Sequence, residues 1–189
     1  MSVFNVQNNR FGNHINTLQN HLIYIMRASA VRFPYFYGAG VSVFDAYREM
    51  IIAKVVWHQL WGKGYFFYVL CPERDDIYSL EDFYMAGIQI AEHIAHFCGR
   101  FQVVMAIHFN VGKQLHIHFI ANNIDMDNGH RMDLSKKRMS ELKFGISAIL
   151  VQHHISAIRQ RECWNDNILT TTSIGTIMMD CTGLRSKEL

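Results

Sequence analysis

Proline is nearly absent from this 189-residue chain, which has only Pro34 and Pro72, and charged residues make up just 18% of it. With so few prolines, long stretches can run as uninterrupted helix or strand. Low charge combined with 50% apolar residues excludes a self-repelling disordered polymer. The length suits one domain, residues 1–189, with one sizeable core. Long hydrophobic runs are missing too: Tyr65 to Cys71 and Ile146 to Val151 fall far short of the roughly 20 apolar residues that cross a bilayer. No membrane segment is expected, and the polar stretch Met1 to Arg10 is no secretory signal. Cysteine is sparse, and Cys71, Cys98, Cys163 and Cys181 form no Cys-x-x-Cys pair. They are expected to be packing residues in a reducing cytoplasm. A strong charge of either sign is also lacking. A net charge of +2 is too small to point by itself to nucleic acid, so any case for DNA must come from a site.

What is present is alternation between two periods. Val3, Phe4 and Val6 sit among polar neighbours as in a short strand, and Ile15, Leu18, Leu22, Ile25 and Met26 recur at helical spacing up to Arg27. Arg32 to Ser42 contains Pro34, Gly38 and Gly40 and reads as a loop. From Val43 to Leu60 the helical period returns through Phe44, Tyr47, Met50, Ile51 and Lys54, until Gly62 and Gly64 end it. Tyr65 to Cys71 reads as a buried strand. Ser79 caps a helix that runs through Leu80, Phe83, Gly87, Ile90 and Ile94 to Gly99. Phe101 to His108 and Leu115 to Asn122 read as a hairpin, with a short extension at His130 to Met132. Ser135 caps the last long helix, which buries Met139, Leu142, Ile146, Ile149 and Leu150. The expected fold is α+β, a central antiparallel β-sheet covered by helices. Beyond Arg161 the pattern weakens, leaving 162–189 as a docked segment or a linker.

The chemistry sits on the hairpin. His116 and His118 are two residues apart on a strand and face the same side. If residue 108 pairs with 116, His108 joins them and three imidazoles converge; a slip of one residue would send His108 to the other face. Three neutral imidazoles leave positions open on a bound cation, which is how a catalytic metal site is built. Ordinary histidines on a half-buried strand fit the same pattern, so spacing alone leaves both readings open.

The run from His108 through Asn110, Lys113, His116, His118 and Asn122, followed by Asp127-Asn-Gly-His-Arg-Met-Asp-Leu-Ser135-Lys-Lys-Arg, closely resembles the relaxase/mobilisation nuclease family of conjugative and mobilisable elements. Upstream, Leu18-Gln-Asn-His-Leu-Ile-Tyr24-Ile resembles the family's first helix, and the resemblance spans roughly 18–158. It implies that Tyr24 attacks a scissile phosphate at a transfer origin and forms a 5′-phosphotyrosyl link. It further implies a divalent metal on His108, His116 and His118 and no nucleotide cofactor. Single-stranded and hairpin origin DNA would be the substrate, with accessory mobilisation proteins and a secretion coupling protein as partners. Mn2+ best satisfies both imidazole ligands and phosphoryl chemistry; Mg2+ suits the chemistry, and Zn2+ or Ni2+ suits the ligands.

The sequence departs from the family at several points. Asn110 stands where the family usually has Asp, Gln114 where a further His often stands, and Met26-Arg-Ala-Ser replaces the usual turn after the tyrosine. Tyr35, Tyr37 and Tyr47 therefore compete with Tyr24. Asn110 and Asn122 are candidates for groups that orient the histidines. Arg27, Arg32, Lys113, Arg131, Lys136 and Lys137, with Arg10 and Arg138, are candidates for strand binding. Two other functions compete: a replication initiator of the same His-hydrophobic-His kind, and a catalytically inactive DNA-binding domain. Initiators of that kind usually carry the tyrosine after the histidines, so chain order favours a relaxase. His93, His96, His153 and His154 are expected on helix surfaces.

Overall fold

In the computed structural model, which describes residues 1–7, 13–110 and 114–159, strands and helices alternate along the chain. The elements are β1 (Val3–Val6), α1 (Ile15–Ile25), β2 (Phe36–Ala39), α2 (Ala46–Val56), β3 (Tyr65–Cys71), α3 (Leu80–His96), β4 (Val103–His108), β5 (His116–Asn122) and α4 (Lys136–Gln152). The five strands form one antiparallel sheet in the order β1-β3-β5-β4-β2, which puts the β4–β5 hairpin near its middle. This is the α+β architecture that the pattern predicts.

The sheet is covered on both faces, so β3, β4 and β5 are buried throughout. Such strands read as continuous apolar runs rather than alternating ones. On one face α3 and α4 pack Phe83, Ile90, Ile94, Leu142 and Ile146 against Tyr68, Met105, Ile117 and Phe119. On the other face α1 and α2 pack Leu18, Leu22, Ile25 and Met50 against Tyr65, Phe67, Val104 and Ile120. Helix α3 lies close to the hairpin at Gly87, where an added Cβ would come within 2.9 Å of Ile117 Cδ1. The two long helices start where serine caps were expected: Ser79 accepts from the Asp82 N–H at 3.0 Å, and Ser135 from that of Arg138 at 3.4 Å.

One expectation is corrected. Residues 36–39 are an edge strand on β4, not loop. Pro34 lies just outside it, and the partner is some 65 positions away in sequence, so local signals point to a turn. Cys98 is a half-buried free thiol, and Cys71 is buried in the core beneath α1 and α2. Cys163, Cys181 and the whole 162–189 tail lie outside the described residues. No described helix is long and apolar enough to cross a membrane.

Candidate metal centre and its tyrosine

His108 pairs directly with His116 across the hairpin, the register that convergence requires. Side chains alternate along β5, so His116 and His118 face α1 and α2 while Ile117 and Phe119 face α3. Ring centroids lie 5.3 Å apart for His108–His116, 4.9 Å for His116–His118 and 4.2 Å for His108–His118. All three rings are buried, and their ligand nitrogens lie within 4.8 Å of one another. Two bonds of about 2.1 Å to one ion span at most about 4.2 Å, so an ion would draw the rings slightly inward.

The backbone sets two of the tautomers. His108 Nε2 lies 2.9 Å from the Ile25 carbonyl, and His116 Nδ1 lies 2.9 Å from the Gln114 carbonyl. A carbonyl only accepts, so each of these nitrogens donates its proton and the lone pair falls on the other, His108 Nδ1 and His116 Nε2. Histidine nitrogens in metal sites are oriented in this way. His108 Nδ1 is buried without a partner, as are both nitrogens of His118. Buried polar atoms are seldom left unpaired in a folded protein, so these point to a missing ligand. Burial, the neighbouring imidazoles and Arg27 hold His108 down at about 4 and His118 well below the usual histidine range. These two rings are therefore neutral at pH 7, as coordination requires. The donor set fits a divalent ion.

Helix α1 brings Tyr24 to this cluster. Its ring centroid lies 5.6 Å from that of His108 and 5.5 Å from that of His118, and the side chain is 38% exposed. It is both accessible and adjacent. The competing tyrosines lie elsewhere. Tyr35 packs on Tyr84 and Phe109, the Tyr37 hydroxyl donates to Glu92 across the opposite face, and Tyr47 lines a groove between α1 and α2.

The other candidates scatter. Asn110 accepts from Arg27 Nη2 at 3.2 Å instead of orienting a histidine. Asn122 contacts no histidine: four residues along β5 from His118 is about 13 Å. It bonds Lys54 and Gln102 and orients nothing at the cluster. Arg27 stands at the cluster, whereas Arg32 lies over the Phe109 ring, which packs with Tyr35 against the α3 and α4 side of the sheet. Arg131 binds Gln59 and Trp61 at the far end of α2, and Lys136 and Lys137 begin α4 on the opposite face of the sheet. Those three do not share a surface with the histidines. Lys113 and Arg10 lie outside the described residues. His93 is half-buried against Phe97 and close to Gly145, not on an open helix surface.

Residue patterns alone miss two groups. The orienting carbonyls of Ile25 and Gln114 leave no trace in side-chain types. Lys54 does leave a trace, because it falls on the apolar stripe of α2. The residue is 1% exposed, and its Nζ donates to Gly64 O, Asn122 Oδ1 and Asn123 Oδ1.

Together these features define a class: a helix-covered antiparallel sheet whose central hairpin presents three buried histidines to a tyrosine on the first helix. The sequence model of the family described as "Relaxase: MobA/VirD2-like, nuclease domain" matches residues 24–154, and the chain belongs to that family. No curated protein matches it in sequence. Among solved structures it is similar to the relaxase domain of MobM bound to origin DNA of plasmid pMV158, in a Mn-bound crystal. The TM-score is 0.61 at 10% identity, over 93% of this chain and 98% of that one. A second crystal of the same domain, bound to DNA with a 3′-thiophosphate, gives a TM-score of 0.62 at 10% identity over 94% and 98%. It is also similar to a structure described as the molecular basis of vancomycin resistance transfer in Staphylococcus aureus. There the TM-score is 0.57 at 10% identity, over 87% and 100%. At these identities the likeness is one of fold.

Proposed function

We propose that this domain nicks one DNA strand at a transfer origin and keeps the 5′ end on Tyr24. The observation that carries the reading is the Tyr24 ring packed against His108 and His118 in a member of the relaxase nuclease family. In the step, Tyr24 Oη bonds to phosphorus, the P–O3′ bond breaks, and the 3′ oxygen leaves and takes up a proton. The phenolic proton passes to solvent or to a nearby base. Because one phosphodiester replaces another, reversal rejoins the strand. His108, His116 and His118 would hold a divalent ion, which would supply Lewis acidity to the phosphoryl oxygens. Mn2+ is the first candidate, in keeping with the Mn-bound crystals of the MobM domain, with Mg2+, Zn2+ and Ni2+ behind it. The protein's part is to hold those imidazoles neutral and aimed, and to fix the tyrosine beside them.

In this reading the chain is a single nuclease domain working in the cytoplasm on single-stranded and hairpin origin DNA. Accessory mobilisation proteins and a coupling protein would join it there. Chain order, with the tyrosine ahead of the histidines, supports a relaxase over a replication initiator. The test is nicking of supercoiled plasmid carrying the DNA that flanks the gene. Wild type with Mn2+ is expected to give open circles, whereas EDTA, Tyr24→Phe and His116→Ala abolish them. Nicking that survives Tyr24→Phe removes the tyrosine from the chemistry.

A further inference from the structure

Among the described residues no carboxylate joins the three-histidine cluster. The charged group beside it is Arg27, two residues past the end of α1, whose guanidinium carbon lies 4.7 Å from the centre of the Tyr24 ring. A single described partner fixes it: Nη2 donates to Asn110 Oδ1 at 3.2 Å. Nε–H is buried and has no acceptor among the described residues. A guanidinium carries five donors in a planar fork that matches phosphate oxygens. Here that fork is held by a neutral amide beside neutral imidazoles, with a donor left over.

We propose that Arg27 is a catalytic arginine that grips the non-bridging oxygens of the scissile phosphate beside Tyr24, with Asn110 as the positioning residue that holds it without neutralising it. This rests on the nicking reading and names the group that receives the phosphate. The departure at position 110 then acquires a role. An aspartate there would form an ion pair with Arg27, whereas asparagine accepts the same hydrogen bond and leaves the full charge in place. Charge accumulating on the phosphoryl oxygens as Tyr24 Oη bonds and O3′ departs would strengthen the Arg27 contact, as catalysis requires.

The test uses the whole chain and two independent readouts. The first is binding of 5′-fluorescein (dT)20 in EDTA, followed by anisotropy over a range of salt. Arg27→Gln is expected to weaken binding several-fold and to lower the slope of log affinity against log salt by about 0.7, the loss of one phosphate contact on a single strand. Arg27→Lys keeps the slope. The second is plasmid nicking, where Arg27→Gln is expected to lose roughly 100-fold and Arg27→Lys about tenfold, since lysine keeps the charge but not the fork. Nicking is compared at saturating Mn2+, Mn2+ affinity and melting temperature should match wild type in Arg27→Lys, which keeps the charge, and Arg27→Lys carries the test if Arg27→Gln does not fold. Wild-type affinity and slope in Arg27→Gln overturn the proposal even if wild type nicks. A wild type that fails to nick overturns the nicking reading, while the (dT)20 measurement still decides whether Arg27 holds phosphate.

Discussion

Replacing His118 by leucine should make the metal-free protein more stable and, at the same time, insensitive to metal. His118 is 5% exposed and neither of its ring nitrogens has a partner. Each unsatisfied buried polar atom costs roughly 1–3 kcal/mol. Leucine removes both and fills much of the space. Against this stand the lost ring contacts with Tyr24 and Phe67, at centroid distances of 5.5 Å and 5.4 Å, worth about 0.5–1.5 kcal/mol each. At mid-range values, about 4 kcal/mol regained against about 2 lost, the balance is a gain of about 2 kcal/mol. For a domain of this size each kcal/mol moves the melting temperature by about 2–4 °C. Metal has the opposite dependence. At a free concentration 100 times its Kd, an ion that binds only the folded state adds about 2.7 kcal/mol to wild type. With two imidazoles left, His118→Leu should lose that increment. Differential scanning calorimetry in EDTA and in excess Mn2+ measures both effects. If His118→Leu melts below wild type in EDTA, or retains the Mn2+-induced shift, the reasoning that these nitrogens await a ligand is wrong.

Two further outcomes follow from buried titratable groups. His108 and His118 are held below the ordinary histidine value, to about 4 in the case of His108. Between that value and 6.5 the unfolded chain binds protons the folded chain refuses. Their contribution is thus fully present above pH 6.5 and is lost as pH falls towards 4, by up to about 1.4 kcal/mol per pH unit for each ring. Urea melts of the metal-free protein should show this fall, and His118→Leu should reduce it; identical pH profiles would count against the assignment. Burial, with Arg131 nearby, brings Lys54 down to about 7 from an ordinary 10.5. In that window the unfolded chain holds the extra proton, so this group favours folding increasingly as pH rises from 7 towards 10.5. The stability difference between wild type and Lys54→Met should grow over that range in denaturant melts, and a constant difference would contradict it.

Most of the scaffold is readable from local pattern, for a physical reason. Helices α1, α3 and α4 each bury one apolar stripe, and the Ser79 and Ser135 caps mark where two of them begin. β3, β4 and β5 are buried on both sides and read as apolar runs. β2 escapes because its pairing is long-range and its glycine-rich segment resembles a turn. The site divides in the same way. Strand alternation puts His116 and His118 on one face, and a single register choice adds His108. Tyr24 is no different in kind from other tyrosines on amphipathic helices, so only resemblance distinguishes it in the sequence. Asn122 misleads, because closeness in sequence to His118 on a strand is distance in space. Arg27 is hidden among many exposed cations until the fold sets it over Tyr24 and against Asn110.

The central claim is a covalent bond between Tyr24 and DNA, and capturing that bond tests it most directly. Plasmid carrying the flanking DNA is incubated with Mn2+-loaded protein, quenched in detergent and digested with nuclease, and the protein is then mapped by peptide mass spectrometry. The account predicts a nucleotide joined through its 5′-phosphate to the peptide that contains Tyr24, and no adduct in Tyr24→Phe. Nicked plasmid with no protein attached, or with the adduct on a residue other than Tyr24, would contradict it.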